Sequence, residues 1–191
     1  MVLTFMGITV NYTQAQQVDI YKDLPLYKEL PNLKIEKEFH LYTTDGYQEM
    51  ANGESIYVWG FTHAEDFADA GEIKTKEERE LKLLPVKVPG DELRLQSGKN
   101  YAIVLHNAGW YETEKGCGAN NVAHTIHFHG MDLIPAMDGV PDLPTAPVFP
   151  GKTFRYILTM PKDLEGTYIG HCHVDSTNHI MAGMYFPIVV E

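Results

Sequence analysis

Two short segments in the second half of the chain concentrate the side chains that bind transition metals. Six of the nine histidines and one of the two cysteines lie in these segments. Imidazole nitrogens and thiolates are ligands of zinc, copper and related ions. The clustering therefore predicts a metal site rather than a chance scatter of histidines. The side chains concerned are His124, His127 and His129 in the first segment, and His171, Cys172, His173, His179 and Met184 in the second.

The alternation of side chains along a β-strand sorts most of these residues into two sets. Neighbouring side chains of a strand point to opposite faces of the sheet. His124 therefore points away from the face that His127 and His129 share, and Cys172 points away from the two histidines beside it. If the two strands pair, each set converges on its own side of the sheet. One set is His124 with Cys172, and the other is His127, His129, His171 and His173.

The first set needs further ligands, which the residues after Cys172 supply. A loop that returns to the sheet brings His179 and Met184 beside the thiol. Two imidazoles, a thiolate and a long thioether form the ligand set that selects copper for electron transfer, whereas zinc more often takes several cysteines or a set without methionine. A bound metal deprotonates the thiol. The other cysteine, Cys117, lies in a Gly-rich loop and is predicted to be an unpaired thiol.

Short strands are expected to position both segments. Tyr101, Ile103 and Leu105 alternate with other residues and are predicted to share one face of a strand. Thr44-Asp45-Gly46 is predicted to form a turn, and the charged, Ala-rich residues 64–80 a helical or loop excursion on the surface. Clusters of β-branched and aromatic residues predict strands over residues 34–43, 54–60, 82–88, 91–95, 99–107, 123–130, 153–160, 167–173 and 184–191.

The spacing of these strands and turns predicts an all-β fold, a Greek-key β-sandwich or barrel. This domain is expected to span residues 33–191. Residues 1–32, which Pro25 and Pro31 punctuate, are predicted to form an N-terminal extension.

The charge and hydropathy of the chain exclude some classes of partner. The formal net charge is −11 and no block of lysine or arginine stands out, which argues against nucleic acid and anionic membranes. The acidic surface favours a basic protein partner or serves solubility alone. The first ten residues are apolar but too short to span a bilayer, and no other stretch resembles a membrane span. They are either the remnant of a secretion signal or a strand.

The two metal-binding segments resemble those of multicopper oxidases and their single-domain cupredoxin relatives. His-Thr-Ile-His-Phe-His-Gly and His-Cys-His followed by His and Gly-Met are similar to copper motifs of that family, and residues 137–141 also recur in it. The resemblance covers roughly residues 33–191 and implies the cupredoxin fold. The acidic chain with its long extension also resembles the small cupredoxins of ammonia-oxidising archaea.

The resemblance implies two copper centres of different kinds. It places a type 1 copper on His124, Cys172, His179 and Met184. It would place a trinuclear copper cluster on His127, His129, His171 and His173. Such a cluster takes eight histidines from two domains, and the remaining His40, His63 and His106 form no second His-x-His pair. The Cys172–His179 loop is two residues longer than is usual in the oxidases, which predicts a partly open copper.

Three functions follow as expectations. The first is a redox protein with one type 1 copper per chain, which transfers electrons to a partner protein or reacts with a small molecule such as nitric oxide or nitrite. The second is an oligomeric oxidase that builds a trinuclear cluster between subunits and reduces dioxygen. The third is a copper-binding or storage module. Relatives are often trimers, so a homo-oligomer is expected, and we also expect an extracytoplasmic location.

Overall fold

Two four-stranded β-sheets form the domain in the computed structural model, which describes residues 33–109, 122–141 and 145–191. Sheet A has the order β2-β1-β4-β6 and sheet B the order β3-β8-β7-β5. The elements are β1 (Lys37–Glu49), β2 (Ser55–Thr62), α1 (Lys76–Lys82), β3 (Leu93–Leu95), β4 (Asn100–Asn107), β5 (His127–His129), β6 (Thr153–Thr159), β7 (Gly166–His171), α2 (Ser176–Ala182) and β8 (Tyr185–Val190). Short 3-10 helices span Glu65–Phe67 and Pro135–Met137.

Sheet A presents its apolar face to sheet B. β1 pairs with β2 antiparallel and with β4 parallel, and β4 pairs with β6 antiparallel. Along β4 the side chains predicted to share one face, Tyr101, Ile103 and Leu105, are at most 4% exposed. The period-two prediction for this strand is therefore confirmed.

Sheet B carries the metal-binding segments on its strands and loops. β5 pairs with β7 antiparallel, so that His127 lies opposite His171. β7 pairs with β8 antiparallel, and β3 with β8 parallel. Phe128 and Phe186 belong to the buried cluster that joins the two sheets. This packing confirms the predicted β-sandwich, and the sheets do not close into a barrel.

The predicted turn at Thr44-Asp45-Gly46 is wrong, because β1 continues through it to Glu49. The carboxylate of Asp45 is buried, accepts a hydrogen bond of 2.8 Å from the Tyr57 hydroxyl and lies 3.5 Å from the Arg79 guanidinium. These tertiary partners satisfy a turn-favouring residue inside a strand. The hairpin instead turns at residues 50–53, where Gly53 has a φ of +82°.

Two further strand predictions need correction. Residues 82–88 are not a strand, since α1 extends to Lys82 and no strand follows before β3. Leu83 and Val86 are nevertheless buried, so their apolar character reflects packing without strand pairing. Residues 123–130 form a strand only at His127–His129. Residues 64–80 do contain the predicted helical excursion, which includes the buried Ile73 and Arg79.

Several predictions fall on residues that the structure does not describe. The extension at residues 1–32 and Cys117 both lie outside the described residues. The division of the chain at residue 32 therefore stays a prediction. No helix within the described ranges is long and apolar enough to cross a membrane.

Candidate metal centre

Three buried ligand atoms converge beneath sheet B. The Sγ atom of Cys172 lies 3.5 Å from Nδ1 of His124 and 3.1 Å from Nδ1 of His179. The ligand atoms of all three residues lie within 4.8 Å of one another. His124 and Cys172 are 0% exposed and His179 is 4% exposed. The structure thus places the ligand atoms of three of the four predicted ligand residues close together.

Backbone hydrogen bonds fix the first two of these residues. His124 forms an isolated bridge with Val148, in which each N–H donates to the other residue's carbonyl at 3.0 and 2.8 Å. Cys172 directly follows β7, and its N–H donates to the Met184 carbonyl at 3.1 Å. Each ligand is therefore held by pairing with a neighbouring chain segment.

His179 lies in a short helix, α2, rather than in the loop expected from the sequence. α2 ends at Ala182 and is followed by Gly183, whose φ of +117° would be strained for a residue with a side chain. The N–H of Met184 donates to the His179 carbonyl at 3.0 Å. The Met184 backbone is therefore bonded to both His179 and Cys172, and its side chain is fully buried in the core. The segment between Cys172 and His179, which the resemblance to the oxidases implies is long, thus includes the first turn of α2.

Trp59 of β2 is a neighbour of the site that sequence reasoning missed. Its ring meets the imidazole of His179 edge-on, with centroids 5.3 Å apart. Nothing in its local sequence sets it apart. The contact arises because α2 packs against β2, which belongs to the other sheet.

The second histidine set also converges, at the surface of sheet B. Ligand atoms of His127, His129 and His171 lie within 4.8 Å of one another. The ring of His173 lies 5.1 Å from that of His127 and 5.9 Å from that of His171, measured between centroids. The two sets that strand alternation predicts thus form separate clusters. The thiol set is buried, and the imidazole set ranges from the buried His171 to the exposed His129.

Hydrogen bonds orient two of these imidazoles. Nδ1 of His127 lies 2.8 Å from the Asp138 carbonyl and 3.3 Å from its carboxylate. Nδ1 of His171 lies 3.0 Å from the carbonyl of Cys172. Only a protonated Nδ1 can donate to a carbonyl, so Nε2 of each ring carries the lone pair. These partners, which the sequence did not reveal, prepare both rings for metal binding.

Burial governs the titration of the metal-free site. It lowers the pKa of His124 well below the usual value, with a smaller contribution from His179. Burial likewise lowers the pKa values of His171 and His179. It raises the pKa of the Cys172 thiol to about 11. The metal-free site therefore holds neutral imidazoles and a thiol, and a metal that binds the thiolate must release its proton.

These shifts predict that the metal-free protein loses stability in mild acid. His124 stays neutral in the folded state, while its unfolded form binds a proton below about pH 6.5. The unfolded state then holds more protons, so the free energy of unfolding falls as pH decreases, by up to about 1.4 kcal/mol per pH unit for such a group. Urea unfolding of the metal-free protein at pH 7 and pH 5 measures this slope. His124→Gln should flatten it, and an unchanged slope in that variant would contradict the assignment.

Comparisons with known proteins agree with this geometry. The family model described as multicopper oxidase matches residues 69–191. Copper resistance protein A of Pseudomonas syringae pv. tomato is 32% identical over 104 residues, which are 54% of this chain and 15% of that protein. The iron transport multicopper oxidase FET3 of Saccharomyces cerevisiae is 34% identical over 89 residues, which are 46% of this chain and 12% of that protein. The chain thus spans less than a fifth of these relatives.

Solved structures show the same fold. A multi-copper oxidase from Pseudomonas Thermotolerans superposes with a TM-score of 0.59 at 24% identity, covering 83% of this chain and 30% of that one. A blue copper oxidase from Nitrosomonas europaea gives a TM-score of 0.58 at 23% identity, covering 81% of this chain and 38% of that one. The family match, which covers more than half of this chain, carries the copper motifs. The chain therefore belongs to the multicopper oxidase family.

Proposed function

We propose that the chain transfers electrons through one type 1 copper, which His124, Cys172, His179 and Met184 would hold. The observation that carries this proposal is the convergence of a buried thiol with the Nδ1 atoms of two imidazoles. Thiolate with imidazole is the donor set of copper electron-transfer sites. Bound copper would supply one-electron redox chemistry.

The residues fit such an ion in spacing as well as in kind. A thiolate and an imidazole bound to one metal ion lie on the order of 3.5 Å apart. The separations of 3.1 and 3.5 Å between Sγ and the two nitrogens are close to this value. The bonds that join the Met184 backbone to Cys172 and His179 keep the set together. The site therefore needs little rearrangement to accept the ion.

The surroundings support electron transfer more than chemistry on a bound small molecule. His124 and Cys172 are fully buried, and His179, at 4% exposed, is the least buried of the three. We infer that electrons pass to and from a partner through this imidazole. A reaction with a nitrogen oxide would need an open position at the metal, which the burial of these three side chains does not favour. The net charge of −11 favours a basic redox partner.

A second candidate function is that of an oxidase half-site. Its support is the convergence of His127, His129 and His171, with two of the rings already oriented by hydrogen bonds. His171 and His173 also adjoin Cys172 in the chain, which gives a short route from one set to the other. A trinuclear cluster takes eight histidines. This chain has nine, of which four form this set and two belong to the thiol set, so only three remain. A second domain or chain would have to supply the other four.

Symmetry limits how copies of this chain could complete such a cluster. A two-fold pair could face its two sets toward each other and build one cluster. In a closed trimer of equivalent subunits, each histidine set would have to serve two neighbouring subunits, or one of the three sets would have no partner set. With the trimer expected from the sequence, the purified chain would act as an electron carrier without oxygen reduction. A homo-oligomeric state and an extracytoplasmic location stay predictions.

Copper analysis of the purified protein tests this proposal. We expect one tightly bound copper per chain, no consumption of dioxygen with a phenolic substrate, and the same copper content in His127→Gln. More than one tight copper per chain, with turnover that His127→Gln abolishes, would favour the oxidase. Variable loading above one copper per chain without turnover would favour copper storage.

A further inference from the structure

A third cluster of metal-binding side chains lies on sheet A, away from both histidine sets of sheet B. His40 belongs to β1, His106 to β4, and Asp69 to the segment between β2 and α1. Their ligand atoms lie within 4.8 Å of one another. Phe39 and Leu41, which flank His40, are buried in the core, so the cluster occupies the outer face of the sheet.

The two imidazoles of this cluster already face each other through their ring nitrogens. Nδ1 of His40 lies 2.9 Å from Nε2 of His106, and 3.8 Å from Oδ1 of Asp69. Ligands on one zinc ion lie roughly 3.3 Å apart, because zinc–nitrogen distances are about 2.0 Å in tetrahedral geometry. Shifts of a few tenths of an ångström would therefore replace the shared hydrogen bond by a metal ion. The Asp69 side chain is 53% exposed, so its carboxylate is open to solvent for binding an ion.

Other side chains hold the rings in a ligating orientation. Oε1 of Glu38 lies 3.3 Å from Nε2 of His40, and Arg155 donates a hydrogen bond of 2.7 Å to the same carboxylate. This carboxylate favours the tautomer with the proton on Nε2, which leaves the lone pair of Nδ1 facing His106. A carboxylate behind a ligating imidazole is the usual outer-shell arrangement of metal sites.

Tyr42 supports the other two members of the cluster. Its ring stacks on His106 with centroids 4.3 Å apart, and its hydroxyl donates to Oδ1 of Asp69 at 2.9 Å. Burial lowers the pKa of His106 to about 4, so its ring is neutral at pH 7. A cavity of about 310 Å³ borders the cluster and is lined in part by Tyr42, Asp69 and His106.

We propose that His40, His106 and Asp69 form a binding site for a divalent transition-metal ion of the zinc class, with water as the fourth ligand. Two imidazoles and a carboxylate with one open position are a zinc ligand set. His40 precedes residue 69, where the family match begins, so the site combines a residue outside that match with residues inside it. The ion would tie the segment that carries Asp69 to sheet A and so stabilise the fold.

Zinc titration of the copper-loaded protein tests this site. With Zn²⁺ as the probe, calorimetry should detect one equivalent that His106→Gln removes and that Asp69→Asn weakens by more than about 10-fold. Zn²⁺ should also raise the melting temperature of the wild-type protein but not that of Asp69→Asn. Because the Asp69 side chain is exposed, Asp69→Asn is expected to keep the fold. This variant therefore tests the site even if His106→Gln does not fold.

Two controls separate this site from other zinc binding. Asp66→Asn changes an exposed carboxylate of the same segment and should keep both the equivalent and the thermal shift. His129→Gln removes an imidazole of the sheet B set and should keep the equivalent that depends on Asp69. Zinc binding that is equal in wild type, Asp69→Asn and His106→Gln, or no zinc binding by the wild type, would overturn the proposal. The visible copper band reports the sheet B copper separately, so failure of one proposal does not imply failure of the other.

Discussion

Replacing Cys172 with serine is expected to abolish the intense visible absorption of the copper-loaded protein. That absorption would arise from charge transfer between a thiolate and copper, and Cys172 supplies the sulfur that faces both His124 and His179. A serine hydroxyl gives no thiolate and is a poor ligand for copper. The expected result is complete loss of the band, measured by absorption spectroscopy at equal copper content.

The second cysteine provides the matched control for this experiment. Cys117→Ser makes the same chemical change elsewhere in the chain and should leave the band intact. Circular dichroism of both variants would show whether each keeps its β-structure. Survival of the band in Cys172→Ser, or its loss in Cys117→Ser alone, would contradict the proposed ligand set.

Strand periodicity predicted part of the arrangement of these side chains. His127 and His171 pair across β5 and β7, and Cys172, the residue after His171, is fully buried. Such a local rule needs no knowledge of the fold. The same rule predicted the buried face of β4 correctly. It failed over residues 123–126, where His124 pairs with Val148 through a single bridge rather than a continuous strand.

The features that were missed depend on contacts between residues far apart in the sequence. Asp45 fits a turn locally, but Tyr57 and Arg79 bind it inside a strand. His40 and His106 are separated by 66 residues, and only the parallel pairing of β1 with β4 brings them together. No spacing rule predicts that register. Both histidines are visible in the sequence, but their contact in the fold could not be predicted from it.

Gly139 links the family motif at residues 137–141 to the second histidine set. Its φ is +79°, and a Cβ atom built on it would lie 1.7 Å from the carbonyl oxygen of Ile126. The neighbouring Asp138 carbonyl and carboxylate both lie near Nδ1 of His127. The close backbone approach at Gly139 therefore seats the segment that orients this imidazole.

Replacing Gly139 with alanine is accordingly expected to destabilise the protein by more than about 3 kcal/mol. The positive φ alone costs a non-glycine residue about 1–2 kcal/mol, and the overlap with Ile126 adds the displacement of a backbone segment. Gly53→Ala is the matched control, because Gly53 has a φ of +82° and nothing within 4 Å of its added Cβ. Urea denaturation of the metal-free variants measures both changes. Similar losses in the two variants would mean that the 126–139 contact relaxes easily. A much larger loss in Gly139→Ala would identify that contact, rather than backbone conformation alone, as the source of the destabilisation.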